Sequence, residues 1–555
     1  MTIPSRAPDD RFRRLVAACL AAATLCISTA RAEPEVIAVV ASDGYADLRK
    51  QLAWFGAQVG NPTLVILAES MLTGITGGRG LAGLDVKRPF GVVLTADGNA
   101  VSGSAFLPVT DLDKLLGSLE GVVGPAEADG DDLKITAPGT GVVRIVEKNR
   151  WAILSPESMP KSGVDDPSEW IPPLSEDFTL AVRLFPSRMP LPLREQLAKQ
   201  IEAASARSAQ LGQPVDASAL VAALGSLGDI ESMTLGLRLD DAKNRVLVEM
   251  RSVGLPGSAA AKVAATLGDA PLTVPLPKSA GKAMARGFVA QKIPADAAAQ
   301  IGALIDASSA VDSSDPITNM LAGSMRSVAK AAVASGRLDG SMALVNVAAE
   351  GEPPAIEFTG GMHVKDGANL EQSLRKLLGP DADLPPLVKV KLDDGRVGEA
   401  TLHGLSIDLS KSDAAAMFGD TLDATIAVAP ETCHLLFGGD AKARLAELQK
   451  QPAPAAQEGR AMAAVQVSAD QWLEVAAEAA AESGAAPAEQ LAAAAKAAAA
   501  AESSILQLQV RPIERGVAWQ VSADSGVLKA AAAASGMGGG GGLPIGVGPI
   551  GGGGR

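Results

Sequence analysis

Three histidines, three cysteines and a few serines with lysine neighbours are the residues here whose types suit metal or nucleophilic chemistry. His363 stands in GGMHVKD, His403 in the turn-like LHGL, and His434 directly after Cys433 in ETCHLLFG. A protein metal site is usually announced by local ligand pairs such as HExxH or CxxC, and none of these residues has that spacing. Neighbours in an extended strand point to opposite faces, so Cys433 and His434 cannot work as a local dyad. They read as one buried cysteine and three structural or surface histidines, and neither metal nor cofactor is expected. A serine nucleophile needs a base and a strand–turn–helix elbow. No GxSxG occurs, and Ser102-Gly103-Ser104 lies inside a strand pattern. The SxxK spacing at Ser279/Lys282, Ser327/Lys330 and Ser373/Lys376 lacks the companion SDN and KTG elements.

Paired carboxylates hydrolyse glycosides without histidine. The acidic groups at Asp129–Asp132 and Asp393-Asp394 sit instead in turn sequences, with few aromatics near them to stack on a sugar. Trp151 and Trp519 fall within strand patterns and Trp54 and Trp472 in helical ones, where core positions are expected. Only Trp170, in the Pro-flanked DDPSEWIPPLSED, is expected as an exposed contact. The glycines of TGITGGRG and GLAGLD, within residues 73–85, have neither the Gly-Lys-Ser/Thr ending of a phosphate loop nor the dinucleotide-binding spacing. No catalytic residue is nominated.

The elements that would position any site begin after an export signal. Arg11, Arg13 and Arg14 precede the apolar run Leu15–Ile27 and the small-residue site Ala30-Arg31-Ala32, the three parts of a cleaved secretory signal over residues 1–32. The run is too short to span a bilayer comfortably, and the bulky Leu25 before Cys26 disfavours lipid attachment. A periplasmic or extracellular destination follows, with no transmembrane segment in the mature chain. Cleavage removes Cys19 and Cys26, leaving Cys433 without a disulfide partner in the chain. It also removes five arginines and two aspartates, which takes the formal charge from −14 to −17. That balance opposes nucleic acid as a partner, because phosphate binding needs a positive footprint.

Hydrophobic residues make up 47% of the chain but aromatics only 3%, so the cores must be packed from Leu, Val, Ile and Ala. FGVVLTAD and AVSGSAFLPV read as a hairpin, TDLDKLLGSLEGVVG as an amphipathic helix capped at Thr110 or Asp111, and DLKITAPG, GVVRIVEKN and RWAILSPE as a meander. Related strand–helix successions start at Phe178, near Ser341 and near Met462. The hairpin ESMTLGLRLDD–NRVLVEMRSV alternates most cleanly, which implies a sheet with one solvated face and the row Leu235, Leu237, Leu239, Val246, Val248, Met250 turned inward. The expected class is α+β, with tandem antiparallel sheets, helices on one face and duplicated units. The expected division is a signal peptide 1–32, α+β domains over 33–175, 176–335 and 336–535 (the last with Ala-rich helices), and a disordered Gly-rich tail 536–555.

This layout (signal, Ala/Gly-rich acidic composition, repeated strand–helix units, low-complexity end) resembles uncharacterised secreted proteins of planctomycete-like bacteria. The resemblance covers most of the chain, rests on layout and not on a motif, and implies an envelope location. The function expected from the sequence is a non-enzymatic envelope scaffold or binding protein with a protein, glycan or lipid partner. The alternatives are a histidine-independent hydrolase using paired carboxylates and a carrier of an apolar ligand.

Overall fold

A computed structural model describes residues 34–535 apart from short internal stretches, of which 204–226, 306–315, 349–354, 453–460 and 483–487 are the longest. The export segment, the Gly-rich tail and most of the helical stretch expected over 192–227 lie outside the described residues. The first flank of the molecule contains β1 (Glu35–Ser42), β2 (Phe90–Asp97), β3 (Ala100–Pro108), β4 (Glu127–Asp129), β5 (Asp132–Ala137), β6 (Gly141–Lys148), β7 (Trp151–Pro156), β8 (Leu180–Leu184), β9 (Ile230–Asp240) and β10 (Arg245–Gly254). The second contains β11 (Lys282–Lys292), β12 (Arg337–Asn346), β13 (Ile356–His363), β14 (Val388–Lys391), β15 (Arg396–Val397), β16 (Ala400–Asp408), β17 (Thr421–Val428), β18 (Thr432–Phe437), β19 (Ala463–Ser468), β20 (Ile505–Ile513) and β21 (Gly516–Asp524). The helices are α1 (Tyr45–Gln58), α2 (Thr63–Ile75), α3 (Leu112–Val123), α4 (Pro172–Ser175), α5 (Ala259–Leu267), α6 (Pro316–Ala334), α7 (Gly367–Leu378), α8 (Ala415–Phe418), α9 (Ala441–Gln449), α10 (Ala469–Glu482), α11 (Ala488–Ala499) and α12 (Ser525–Ala534).

Among the described residues these strands form one sheet with antiparallel ladders throughout. From the first edge the order is β4, β5, β6, β7, β3, β2, β1, β8, β9, β10. It continues β21, β20, β19, β11, β12, β13, β18, β17, β16, with β14 and β15 both on β16. The second flank repeats the order of the first in reverse, and the last strand of each flank meets the other at the centre. The α+β class expected from the sequence is present, as one continuous sheet, because β10 and β21 zip the flanks together from Arg245↔Asp524 to Val253↔Gly516.

Local chemistry explains the matching ends of corresponding elements. Asp111 caps α3 by accepting from the Lys114 N–H, and Asp366 caps α7 by accepting from the Asn369 N–H, each three residues ahead. The first strand of each flank carries a bulge against the strand that follows it in sequence, between Val36 and Ala38 in β1 and between Ala283 and Ala285 in β11. The extra residues, Ile37 and Met284, are both buried. The turn between β6 and β7 places Asn149 and Arg150 at positive φ, the conformation that joins strands tightly.

Helices cover both faces of the sheet, where a single covered face was expected. Phe106 and Leu107 are adjacent in β3 and so point opposite ways. Phe106 packs with Val39, Val93, Ile153 and Leu174 of α4, whereas Leu107 and Leu154 pack with Leu112 and Leu115 of α3. In the second flank α7 lays Leu370, Leu374 and Leu378 against Ile426, Val428 and Cys433. On the other side α9 lays Leu445 against Leu402, Ala427 and Leu436. Both rows of these outer strands are apolar, and each row recruits its own helix. The sheet's edges are protected: β4 is three exposed residues, two of them acidic, and β14 presents Lys389 and Lys391.

Candidate binding face

The alternation of apolar and polar residues continues through the six central strands, but there the apolar rows face outward. One row crosses the sheet as Leu180, Leu237, Val248, Val521, Leu508 and Val465, the next as Val182, Leu235, Met250 and Trp519, ending at Val510 and Ala463, which pack with Leu267 of α5. Six strands at the usual spacing make these rows about 24 Å long. Leu180, Leu235, Val248, Met250, Leu506, Leu508, Trp519 and Val521 are between 40% and 54% exposed. Eight large side chains left half in water expose on the order of 600 Å² of contiguous apolar surface, at the top of what an ordinary monomer shows.

The reverse side of the same strands is polar and more deeply buried. Glu249 is 3% exposed and accepts hydrogen bonds from Arg251 and from Arg511, the latter at 3.1 Å. Arg251 reaches Asp177 at 2.6 Å and lies over the Phe178 ring, with its guanidinium carbon 4.9 Å from the ring centroid. Burial works against its charge, but hydrogen bonds to Glu249 and Asp177 outweigh this and hold its pKa above the ordinary value. Arg183 donates to Thr234 at 3.0 Å, and burial followed by the nearby charge of Arg251 lowers its pKa. Phe178 also packs on Gly236, where a Cβ would fall inside the ring. Apart from Arg511 Nε, which is buried without a hydrogen-bond partner, the carboxylate, guanidinium and hydroxyl groups named here pair with one another, so the polar row can be the inward one.

The tryptophans divide accordingly. Trp151 is 2% exposed and meets Phe106 edge-on at 6.4 Å. Trp519, expected in the core, stands on the open face, because the row it shares with Met250 points away from the buried polar layer. Trp170, expected as an exposed contact, is half-buried, edge-to-face with Phe185 at 5.6 Å and packed against the first flank's core. Leu235, Val248 and Met250, expected to point inward, line the open face. Strand alternation identifies the two rows but not which one is covered. The clue available in sequence is Glu249-Met250-Arg251, a charge pair on the row opposite the leucines.

The chemistry-bearing residues do not converge. Cys433 packs under α7, and burial pushes its thiol pKa up to about 12. His434 points to the other face over Gly361, and burial lowers its pKa to about 4. His363 and His403 are lowered by burial as well. His403 accepts from the Asp393 N–H through Nδ1, and its Nε2 lies 3.9 Å from Glu371. Among the described residues no group of three or more His, Cys, Asp or Glu could hold a metal ion. Ser102 and Ser104 belong to a buried hydroxyl network with Thr95, Ser155 and Ser162, which contains neither histidine nor carboxylate. Ser327 and Ser373 donate to carbonyls of their own helices, those of Gly323 and Asn369. Ser279 lies outside the described residues.

A polar cavity of about 290 Å³ opens beside the β9–β10 turn, lined by residues including Lys243, Arg245, Gln466, Gln507, Ser522 and Asp524. A second, of about 280 Å³, lies beside α3 near Leu116 and Leu133. No helix among the described residues is long and apolar enough to cross a membrane. No family model, curated protein or solved structure matches the chain.

Proposed function

We propose that this is a non-enzymatic binding or scaffold protein of the cell envelope, exported by the segment 1–32, whose working surface is the apolar face at the centre of the sheet. The observation that carries this reading is the half-exposure of Leu180, Leu235, Val248, Met250, Leu506, Leu508, Trp519 and Val521 on five neighbouring strands, over a buried layer of paired charges. An exposed patch of this size marks an interaction surface. The hydrolase alternative would need two carboxylates in a water-excluding cleft, and the apolar-carrier alternative an enclosed apolar cavity. The central rows offer instead a broad open face without a carboxylate.

The proposed architecture is two copies of one unit, residues 34–267 and 282–534, in place of three domains. The common strand order, the paired bulges and the matching aspartate caps support it. On this reading the successions beginning near Phe90 and Ser341 correspond, as do those beginning at Phe178 and Met462. A photo-reactive amino acid in place of Trp519, introduced in the native host, is expected to give a discrete adduct, and the same label at Gln509 on the reverse face is not. Equal labelling at both positions, or none at Trp519, refutes the binding-face reading.

A further inference from the structure

We infer that the occupant of this face is a second copy of the chain, stacked sheet on sheet; this rests on the binding-face reading above. The first argument is symmetry. The central ladder pairs Glu249 with Gln520, and an approximate dyad through that pair relates β9 and β10 to β20 and β21. It carries Leu235 to Leu508, Val248 to Trp519 and Met250 to Val521. Exposure follows the same pairing at the centre of the face: Leu235 and Leu508 are both open, as are Val248 and Trp519, and Met250 and Val521. A partner without two-fold symmetry would match one half of this patch and mismatch the other. A second copy presents the same patch, and a two-fold interface between identical chains joins one patch to itself.

Area and charge point the same way. On the order of 600 Å² from each copy gives about 1,200 Å² in all, the lower bound of a stable, specific interface. Two sheets meeting through such rows would pack about 10 Å apart, as the halves of a β-sandwich do. No charged side chain stands in either row, so stacking buries no ion, and the acidic charge stays outside the contact. An anionic lipid surface would instead meet a chain of net charge −14 through a patch holding no cation.

Sedimentation velocity of the full chain over a concentration series is expected to show a monomer–dimer equilibrium. Trp519→Lys should weaken it about 100-fold, the loss of a central aromatic anchor, and Leu235→Ser should weaken it in the same direction. Gln509→Lys, on the reverse face, should leave it unchanged. Far-UV circular dichroism confirms that each variant is folded. A wild-type chain that stays monomeric, or a folded Trp519→Lys variant that dimerises normally, overturns the inference. A monomeric chain that still gives a discrete adduct with another protein through position 519 overturns the second copy but keeps the binding face. A monomeric chain with no adduct overturns both.

Discussion

Truncating Trp151 and Trp519 in separate variants puts the two indole rings of corresponding size in opposite situations. Trp151 is 2% exposed, held edge-on by Phe106, with the Arg88 guanidinium carbon 4.3 Å from the ring centroid. Burying a tryptophan removes roughly 200 Å² from water, and at about 25 cal/mol per Å² this is worth about 5 kcal/mol. Trp151→Ala loses most of that and leaves a closed cavity, so a cost of about 3–5 kcal/mol is expected. Trp519 is 46% exposed. Half of its transfer energy is never gained in the single chain, and its removal opens onto solvent instead of leaving a cavity. Trp519→Thr should therefore cost about 1–2 kcal/mol. Threonine also keeps the β-branched preference of the strand. The assay is urea unfolding followed by far-UV circular dichroism on dilute protein, where association does not add to stability. A Trp519→Thr loss equal to that of Trp151→Ala would place the ring in the core and remove the basis of the binding face.

Acid should destabilise the chain through His434. Its pKa is about 4 folded against 6.5 in the ordinary state, so the unfolded chain binds more protons between those values. The stability that neutral His434 preserves is complete above pH 6.5 and is lost as pH falls towards 4, by about 3 kcal/mol in total. His434→Gln should flatten the dependence of the urea midpoint on pH across that window, and an unchanged slope would refute the assignment. Cys433, with its thiol pKa near 12 and its side chain buried, should resist iodoacetamide at pH 8 and react fully in denaturant; modification of the native protein at the rate of a free thiol would contradict its burial. Gly236→Ala should cost about 1–3 kcal/mol through overpacking against Phe178, and Phe178→Leu in the same chain should recover part of that loss. A neutral Gly236→Ala would show that the ring has room to move.

Much of the local structure is legible in the residues themselves. The β5–β6–β7 meander, the β9–β10 hairpin, the Asp111 cap and the stripe Leu370, Leu374, Leu378 all follow from alternation, helical spacing and turn residues. The helical spacing of GANLEQSLRKLLGP would also turn Leu377 inward with them, but it stands exposed. Strand β11 escapes notice because KAMARGFVAQK has few β-branched residues and no clean alternation. Without β11 the start of the second flank is hidden, and the succession reads as three units and a fragment. The site was harder to see for a different reason. Alternation assigns residues to two rows, but which row is covered depends on partners remote in sequence: Asp177, Phe178 and Arg511 make the polar side of β10 the inner one.

The ladder between β10 and β21 also sets a timetable. It pairs Val253 with Gly516 and Arg245 with Asp524, separations of 263 and 279 residues, whereas every other described ladder joins strands of one flank. Closing so long a loop is slow compared with forming hairpins. During synthesis β10 therefore waits as an unpaired edge, backed by the finished hairpin with β9, until the last strand emerges. In that interval its only natural mate is a strand not yet made, and the nearest imitation is the same segment of another nascent chain. Crowded translation and delayed export should thus favour exchanged strands between chains, a hazard built into joining the flanks at their final strands.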